Sequence, residues 1–261
     1  MANPKRVLIL GGTGDATELA ARAAEIPEVE VITSLAGRTR QPVVPSENTR
    51  IGGFGGVAGL IEYLREQQID VLIDATHPFA AQISFNAADA VTALGIPHLM
   101  LVRPAWERTE GDAFGTLRDR WIEVDSHEAA AATLPDLAQR IFLTIGRQEL
   151  AAFAHLQDLW FLMRMIDPPL PDAAVPPGKL LLERGPFSLD DERSLLQQYE
   201  IGAIVSKNSG GNATYAKIVA ARELGIPVVM IQRPPIPPGD IVADIESALS
   251  WLKNTLSRFD K

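Results

Sequence analysis

The chain has 261 residues, enough for one large domain or two modest ones with real cores. Its 33 acidic against 24 basic residues leave a formal net charge of −9, which disfavours non-specific binding to nucleic acid or to an anionic membrane. Cysteine is absent, which removes disulfides, thiolate metal sites and cysteine nucleophiles. His77, His98, His127 and His155 are scattered with no His-x-x-x-His pair, so no metal is expected.

No apolar stretch is long enough to span a bilayer, and "MANPKR" does not read as a signal peptide, so a cytoplasmic protein is expected. Short β-branched or Leu-rich runs at 7–10, 29–33, 71–74, 98–102, 141–144, 160–165, 180–183, 203–206 and 228–232 read as strands. Helical patterns such as "TELAARAA" fill most of the intervals. Strand–helix alternation of this kind predicts an α/β fold of parallel sheets with helices on both faces.

The first strand runs into Gly11-Gly12-Thr13-Gly14-Asp15, followed by a helix. Glycines between strand and helix let the backbone approach a pyrophosphate, and the helix N-terminus offers amide donors. The third glycine of a dinucleotide loop is replaced by small Ala16 or Thr17. The second strand, "VEVITSLAGRTR", ends in Ser34 and reaches Arg38 without a carboxylate that would bond both ribose hydroxyls. A basic residue there favours a 2′-phosphate, so NADPH is the expected cofactor. In "DATHPFA" the next strand end carries Thr76, His77, Pro78 and Phe79, where a nicotinamide would lie. Pro78 fixes the backbone, Phe79 offers a flat apolar face and His77 is a donor that titrates near neutral pH.

Further along, "WERTEGDAFGTLRDRW" (106–121) reads as the boundary between two halves, and "DPPLPDAAVPPG" (167–178) as a loop, lid or rigid turn. Gly146-Arg147, Arg184 and, less directly, Arg164 add basic residues near strand ends. "IVSKNSGGNATYAKI" is strand, polar glycine loop and helix. Ser206, Lys207, Asn208, Ser209, Gly210 and Gly211 would there form an anion cradle that lacks P-loop spacing. An acidic chain that gathers positive charge at one edge suits a substrate bearing several carboxylates.

An internal repeat orders these pieces. "LGIPHLMLVRP" returns as "LGIPVVMIQRP", and at the same displacement Thr76 falls over Ser206 and His77 over Lys207. "RVLILGGTGD" matches "RIFLTIGRQE", and "RIGGF" matches "ERGPF", with small shifts. The expected organisation is two similar α/β halves, 1–104 for the dinucleotide and 105–261 for the substrate, facing each other across a cleft, with a C-terminal helix at 242–258. The bland alternative is a structural duplication with a site in one half.

Together "ILGGTGDATELA", "SLAGRT", "DATHPFA", "IPHLMLVRPAW", "TIGRQEL", "ERGPFS" and "SKNSGGNATYAKI" resemble the precorrin-6A reductase family of cobalamin biosynthesis, over about nine-tenths of the chain. The resemblance implies two Rossmann-like parallel-sheet domains, NADPH, a tetrapyrrole substrate with or without cobalt, and reduction of the ring by hydride transfer. Arg147, Arg184 and Lys207 would then pair with peripheral carboxylates, and His77 or Lys207 would supply a proton through water. Neither 110–118 nor the tail beyond Pro234 matches the family pattern. No nucleic-acid or membrane partner is expected, and the sequence sets no oligomeric state, being compatible with a monomer. Two other readings stand beside this one. A short-chain reductase or epimerase would need Tyr-x-x-x-Lys, and Tyr63, Tyr199 and Tyr215 have no lysine four residues on. An NADPH sensor would need no basic cluster in the second half.

Overall fold

A computed structural model describes residues 4–37, 48–111 and 117–259. In chain order the elements are β1 (Lys5–Leu10), α1 (Gly14–Ala23), β2 (Val29–Leu35), β3 (Thr49–Ile51), α2 (Gly56–Glu66), β4 (Val71–Asp74), α3 (Ala81–Leu94) and β5 (His98–Leu101). They continue with β6 (Trp121–Val124), α4 (His127–Thr133), β7 (Arg140–Thr144), a 3-10 turn (Leu150–Phe153), β8 (Trp160–Met165), β9 (Gly178–Leu182), α5 (Leu189–Gln198), β10 (Ala203–Lys207), α6 (Ala216–Leu224) and β11 (Val228–Ile231). The tail adds β12 (Asp240–Val242) and α7 (Ile245–Leu256).

Two compact units result, one from Met1–Pro104 with Pro234–Lys261 and one from Ala105–Arg233. The first holds a six-stranded sheet ordered β12-β5-β4-β1-β2-β3, the second one ordered β6-β11-β10-β7-β8-β9, and every pairing is parallel. With β7 set over β1, both orders share the same five-strand core, as the sequence repeat requires. Each core gains a sixth strand, but from opposite ends of the sequence: β6 precedes its core, whereas β12 follows the whole second unit.

The sequence reading grouped 105–261 together; the structure places the tail with the first unit instead. Val102 N–H donates to Val242 across the β5–β12 pair, and Ala248, Leu249 and Leu252 of α7 bury against Val7, Ile9 and Leu19. The open flank of the first sheet and its uncovered face account for this. That side of β1 takes its apolar cover from α7 together with α1.

Strand β1 shows why the elements form. Its apolar run is buried on both faces, the pattern of a central parallel strand. Val7 and Ile9 point to the α1/α7 side, and Leu8 and Leu10 to the α2/α3 side with Leu60, Leu64 and Ala87. In the second unit Phe142 and Ile204 face Leu196 and Ile218 of α5 and α6. The described residues contain no helix long and apolar enough to cross a membrane.

Candidate functional site

In the first unit the carboxyl ends of β1, β2 and β4 carry the expected cofactor residues. Gly12 adopts φ +113°, a conformation that side chains rarely tolerate, and a Cβ at Gly12 or Gly14 would have no neighbour within 4 Å. The backbone here therefore borders open space that only glycine leaves unobstructed. Thr13 caps α1: its Oγ1 accepts from the Ala16 N–H at 3.0 Å and donates to the Ala75 carbonyl at 2.9 Å, tying the loop to β4.

The missing third glycine has a structural answer. Ala16, fully buried, is the helix residue packed on the sheet. A Cβ on Gly11 would stand 3.5 Å from the Ala16 Cβ and 3.3 Å from Leu35. Close helix–strand packing is preserved because Gly11 gives way where Ala16 does not. Thr17 instead bonds the Thr13 carbonyl.

Asp15 pairs with Arg103 at 2.9 Å, so the carboxylate at this helix start is accompanied by a guanidinium. Ser34 is buried and its Oγ accepts from Arg50. Arg38 lies outside the described residues. After β4, Asp74 is buried and accepts from both the N–H and Oγ1 of Thr76, at 3.0 and 2.7 Å. The Phe79 N–H donates to His77 Nδ1 at 3.2 Å, so the ring proton sits on Nε2. His77, Thr76, Pro78 and Asp74 line a small pocket closed by Met100 and Ile236. Ile236 comes from the tail, a contribution that sequence order hides.

The second unit brings its polar residues to the matching edge. Lys207 pairs with Glu149 at 2.8 Å. Glu149 and His127 were not singled out from sequence, although Glu149 stands two residues beyond Arg147 in the loop after β7. His127 has a buried Nε2 without a hydrogen-bond partner; burial and then the Lys207 charge favour its neutral form. Gly210 and Gly211 both take left-handed φ, at +69° and +73°, and Gly146 takes +95°. Arg184 is exposed after β9, and Arg147 Nη1 donates to the Pro168 carbonyl at 3.2 Å.

Asn208 differs from its neighbours. It is buried, its Oδ1 accepts from the Trp106 N–H at 2.8 Å, and its Nδ2 donates to the Trp106 carbonyl at 3.1 Å. The indole of Trp106 donates to the Gly211 carbonyl, and Arg233 reaches the carbonyls of Asn208 and Ser209. The amide of Asn208 therefore holds the glycine loop. Trp106, which the sequence places in the boundary segment, and Arg233, which it places in the repeat, hold the same loop.

Arg164 is not a surface cation. It is 8 % exposed, donates to Glu192 Oε1 at 2.5 Å and lies 3.6 Å above the ring of Phe187. Glu192 is fully buried and Lys217 is 3 % exposed, its Nζ donating to the Thr214 carbonyl. Burial pushes the Lys217 ammonium down to about 7, opposed by Glu192 and reinforced by Arg164. A lysine with a depressed native pKa loses its proton in the folded protein first, so the unfolded chain binds more protons above that value. Wild type should therefore gain stability relative to Lys217→Met as pH rises from about 7 towards the ordinary lysine value. Urea unfolding of both proteins at pH 7, 8 and 9 measures the difference, and a flat difference would refute it.

Comparison with known proteins bears on what this arrangement belongs to. The family model described as "Precorrin-6x reductase CbiJ/CobK" matches residues 6–253. The chain belongs to this family. A "Precorrin-6A reductase" of Rhodococcus erythropolis is 53 % identical over 97 % of this chain and 99 % of its own length. A "Cobalt-precorrin-6A reductase" of Priestia megaterium is 27 % identical over 95 % of this chain and 98 % of its own. A solved "CobK precorrin-6A reductase" superposes with TM-score 0.86 at 42 % identity, covering 96 % of this chain and 97 % of that one. As a CbiJ/CobK member the chain is an oxidoreductase of cobalamin biosynthesis, as the resemblance implied. Membership in a reductase family sets aside the sensor and the short-chain enzyme. Among the described residues of this family member, no group of three His, Asp or Glu could hold a metal ion.

Proposed function

We propose that the chain reduces precorrin-6A to precorrin-6B with NADPH. The observation that carries this is the 53 % identity, end to end, to a protein named for precorrin-6A, against 27 % to one named for the cobalt-loaded ring. That difference favours the metal-free macrocycle. The residues at the first unit's carboxyl edge fit the cofactor: Gly12 and Gly14 leave room for a pyrophosphate at the start of α1, and no carboxylate stands between Thr33 and Gly37. When bound, NADPH supplies the hydride.

The protein contributes position and charge. Thr13 fixes the phosphate loop against β4, and Thr76, His77, Pro78 and Phe79 form the platform beside it. In the second unit Arg147, Arg184 and Lys207 hold ring carboxylates, with backbone amides of Gly146, Gly210 and Gly211 as further donors. Asn208 keeps that loop in shape. One proton must join the ring for each hydride, and His77 or Lys207 relays it through water from solvent. Lys207 stays paired with Glu149 until a substrate carboxylate competes for it.

The reaction is tested by anaerobic incubation with NADPH and precorrin-6A, with and without cobalt, followed by mass measurement. A gain of two hydrogens on the metal-free ring is expected, and no gain on either ring refutes the reading. Replacing both Lys207 and Arg184 by alanine should raise KM for the tetrapyrrole about tenfold or more while NADPH affinity is retained. Loss of NADPH binding in that variant would mean that the two units are assigned the wrong ligands.

A further inference from the structure

We infer that Arg50 is the residue that recognises the 2′-phosphate of the cofactor and so sets preference for NADP(H) over NAD(H); this rests on the NADPH reading above. In a dinucleotide-binding unit the end of the second strand meets the ribose carrying that phosphate. Here that end is Ser34, and Arg50 is its register partner on β3. The guanidinium reaches across, with Nη1 donating to Ser34 Oγ at 3.0 Å.

Three observations make Arg50 an anion site rather than an ordinary surface arginine. First, its charge has no carboxylate partner among the described residues, although Arg6, Arg22, Arg103, Arg164, Arg193 and Arg222 all have one. Arg140 shares that lack, but its Nε–H is already taken by the Tyr199 carbonyl, so the next two observations carry the distinction. Second, the guanidinium is partly buried, its Cζ 3.9 Å from the centre of the Phe54 ring and 5.0 Å from that of Tyr63. Aromatic packing fixes the fork before a ligand arrives. Third, three N–H groups donate within the protein, to Ser34, Gly52 and Gly53. Among the described residues this leaves the Nε–H and one Nη2–H. Those two nitrogens are the ones through which Arg222 grips Asp119 bidentately in the second unit. A phosphate monoester fits the same fork.

The competing role is a strut, since the carbonyls of Gly52 and Gly53 are both bonded to this side chain. Equilibrium titration of the full chain with NADP+ and with NAD+ separates the two. Wild type should prefer NADP+. Arg50→Met should weaken NADP+ about tenfold to hundredfold and leave NAD+ affinity unchanged, with Arg50→Lys in between. Equal losses for both nucleotides, or an unchanged NADP+ affinity, would overturn the assignment while leaving the NADPH reading intact. A wild type without preference for NADP+ would overturn both. Because the strut role threatens folding of the variants, a second measurement uses wild type alone. Phenylglyoxal labelling of the Arg50 peptide should be blocked by NADP+ and not by NAD+, and equal labelling with the two refutes the inference.

Discussion

Glu192→Ala is expected to lower the unfolding free energy by about 3–5 kcal/mol, the usual cost of removing one partner from a buried charge cluster. Glu192 is fully buried between Arg164 at the end of β8 and Lys217 in the first turn of α6. Its Oε1 accepts from Arg164, and its Oε2 is buried without a hydrogen-bond donor, so the second oxygen acts on Lys217 through charge alone. Removing the carboxylate leaves Arg164 buried without its nearest anion and takes from Lys217 the charge that favours its protonated form. Urea denaturation of the variant should show a lower midpoint with an unchanged m-value. A loss below about 1 kcal/mol would mean that water enters the cluster and screens it. Lys217 of the cluster bonds the Thr214 carbonyl in the loop before α6, so the destabilisation should also be felt as a raised KM for the tetrapyrrole.

The second large effect belongs to the first loop. Gly12→Val should reduce NADPH affinity about hundredfold, because strain of about 1–3 kcal/mol at a positive φ adds to the lost approach of phosphate to backbone. The space in front of Gly12 is open, so the side chain meets no protein atom and the fold should survive. Gly14→Ala separates the two contributions. Gly14 is the first residue of α1, has no positive φ and also faces open space, so only the close approach is altered. Cofactor titration together with a thermal melt of each variant checks this. Unchanged NADPH affinity in Gly12→Val would remove this loop from the cofactor site.

Long parallel strands and the loops behind them were legible because burial on both faces writes itself as an unbroken apolar run, as in Val7 to Leu10 or Ile204 and Val205. β3, β6 and β12 were not read from sequence. They are three or four residues long, and "TRI", "WIEV" and "DIV" mix polar with apolar side chains because each lies at the edge of its sheet. Arg164 was misread for a related reason. Position near a strand end says that a residue is at the ligand edge, but not whether its side chain turns outward or folds under α5 towards Glu192.

The repeat, the glycine loops and the absence of a carboxylate after the second strand are local properties, set by backbone sterics and by the charge of neighbouring residues, so the amino-acid order alone determined them. Which side chains share an edge is a matter of sheet order, and parallel neighbours come from segments far apart in the chain. Hydrogen bonding across β5 and β12 decided that the tail completes the first unit. Strand pairing likewise set Arg50 beside Ser34, and burial decided that Asn208 and Arg164 serve the protein's own framework. Charge compensation and apolar cover are satisfied in three dimensions, and a linear reading records only who could take part.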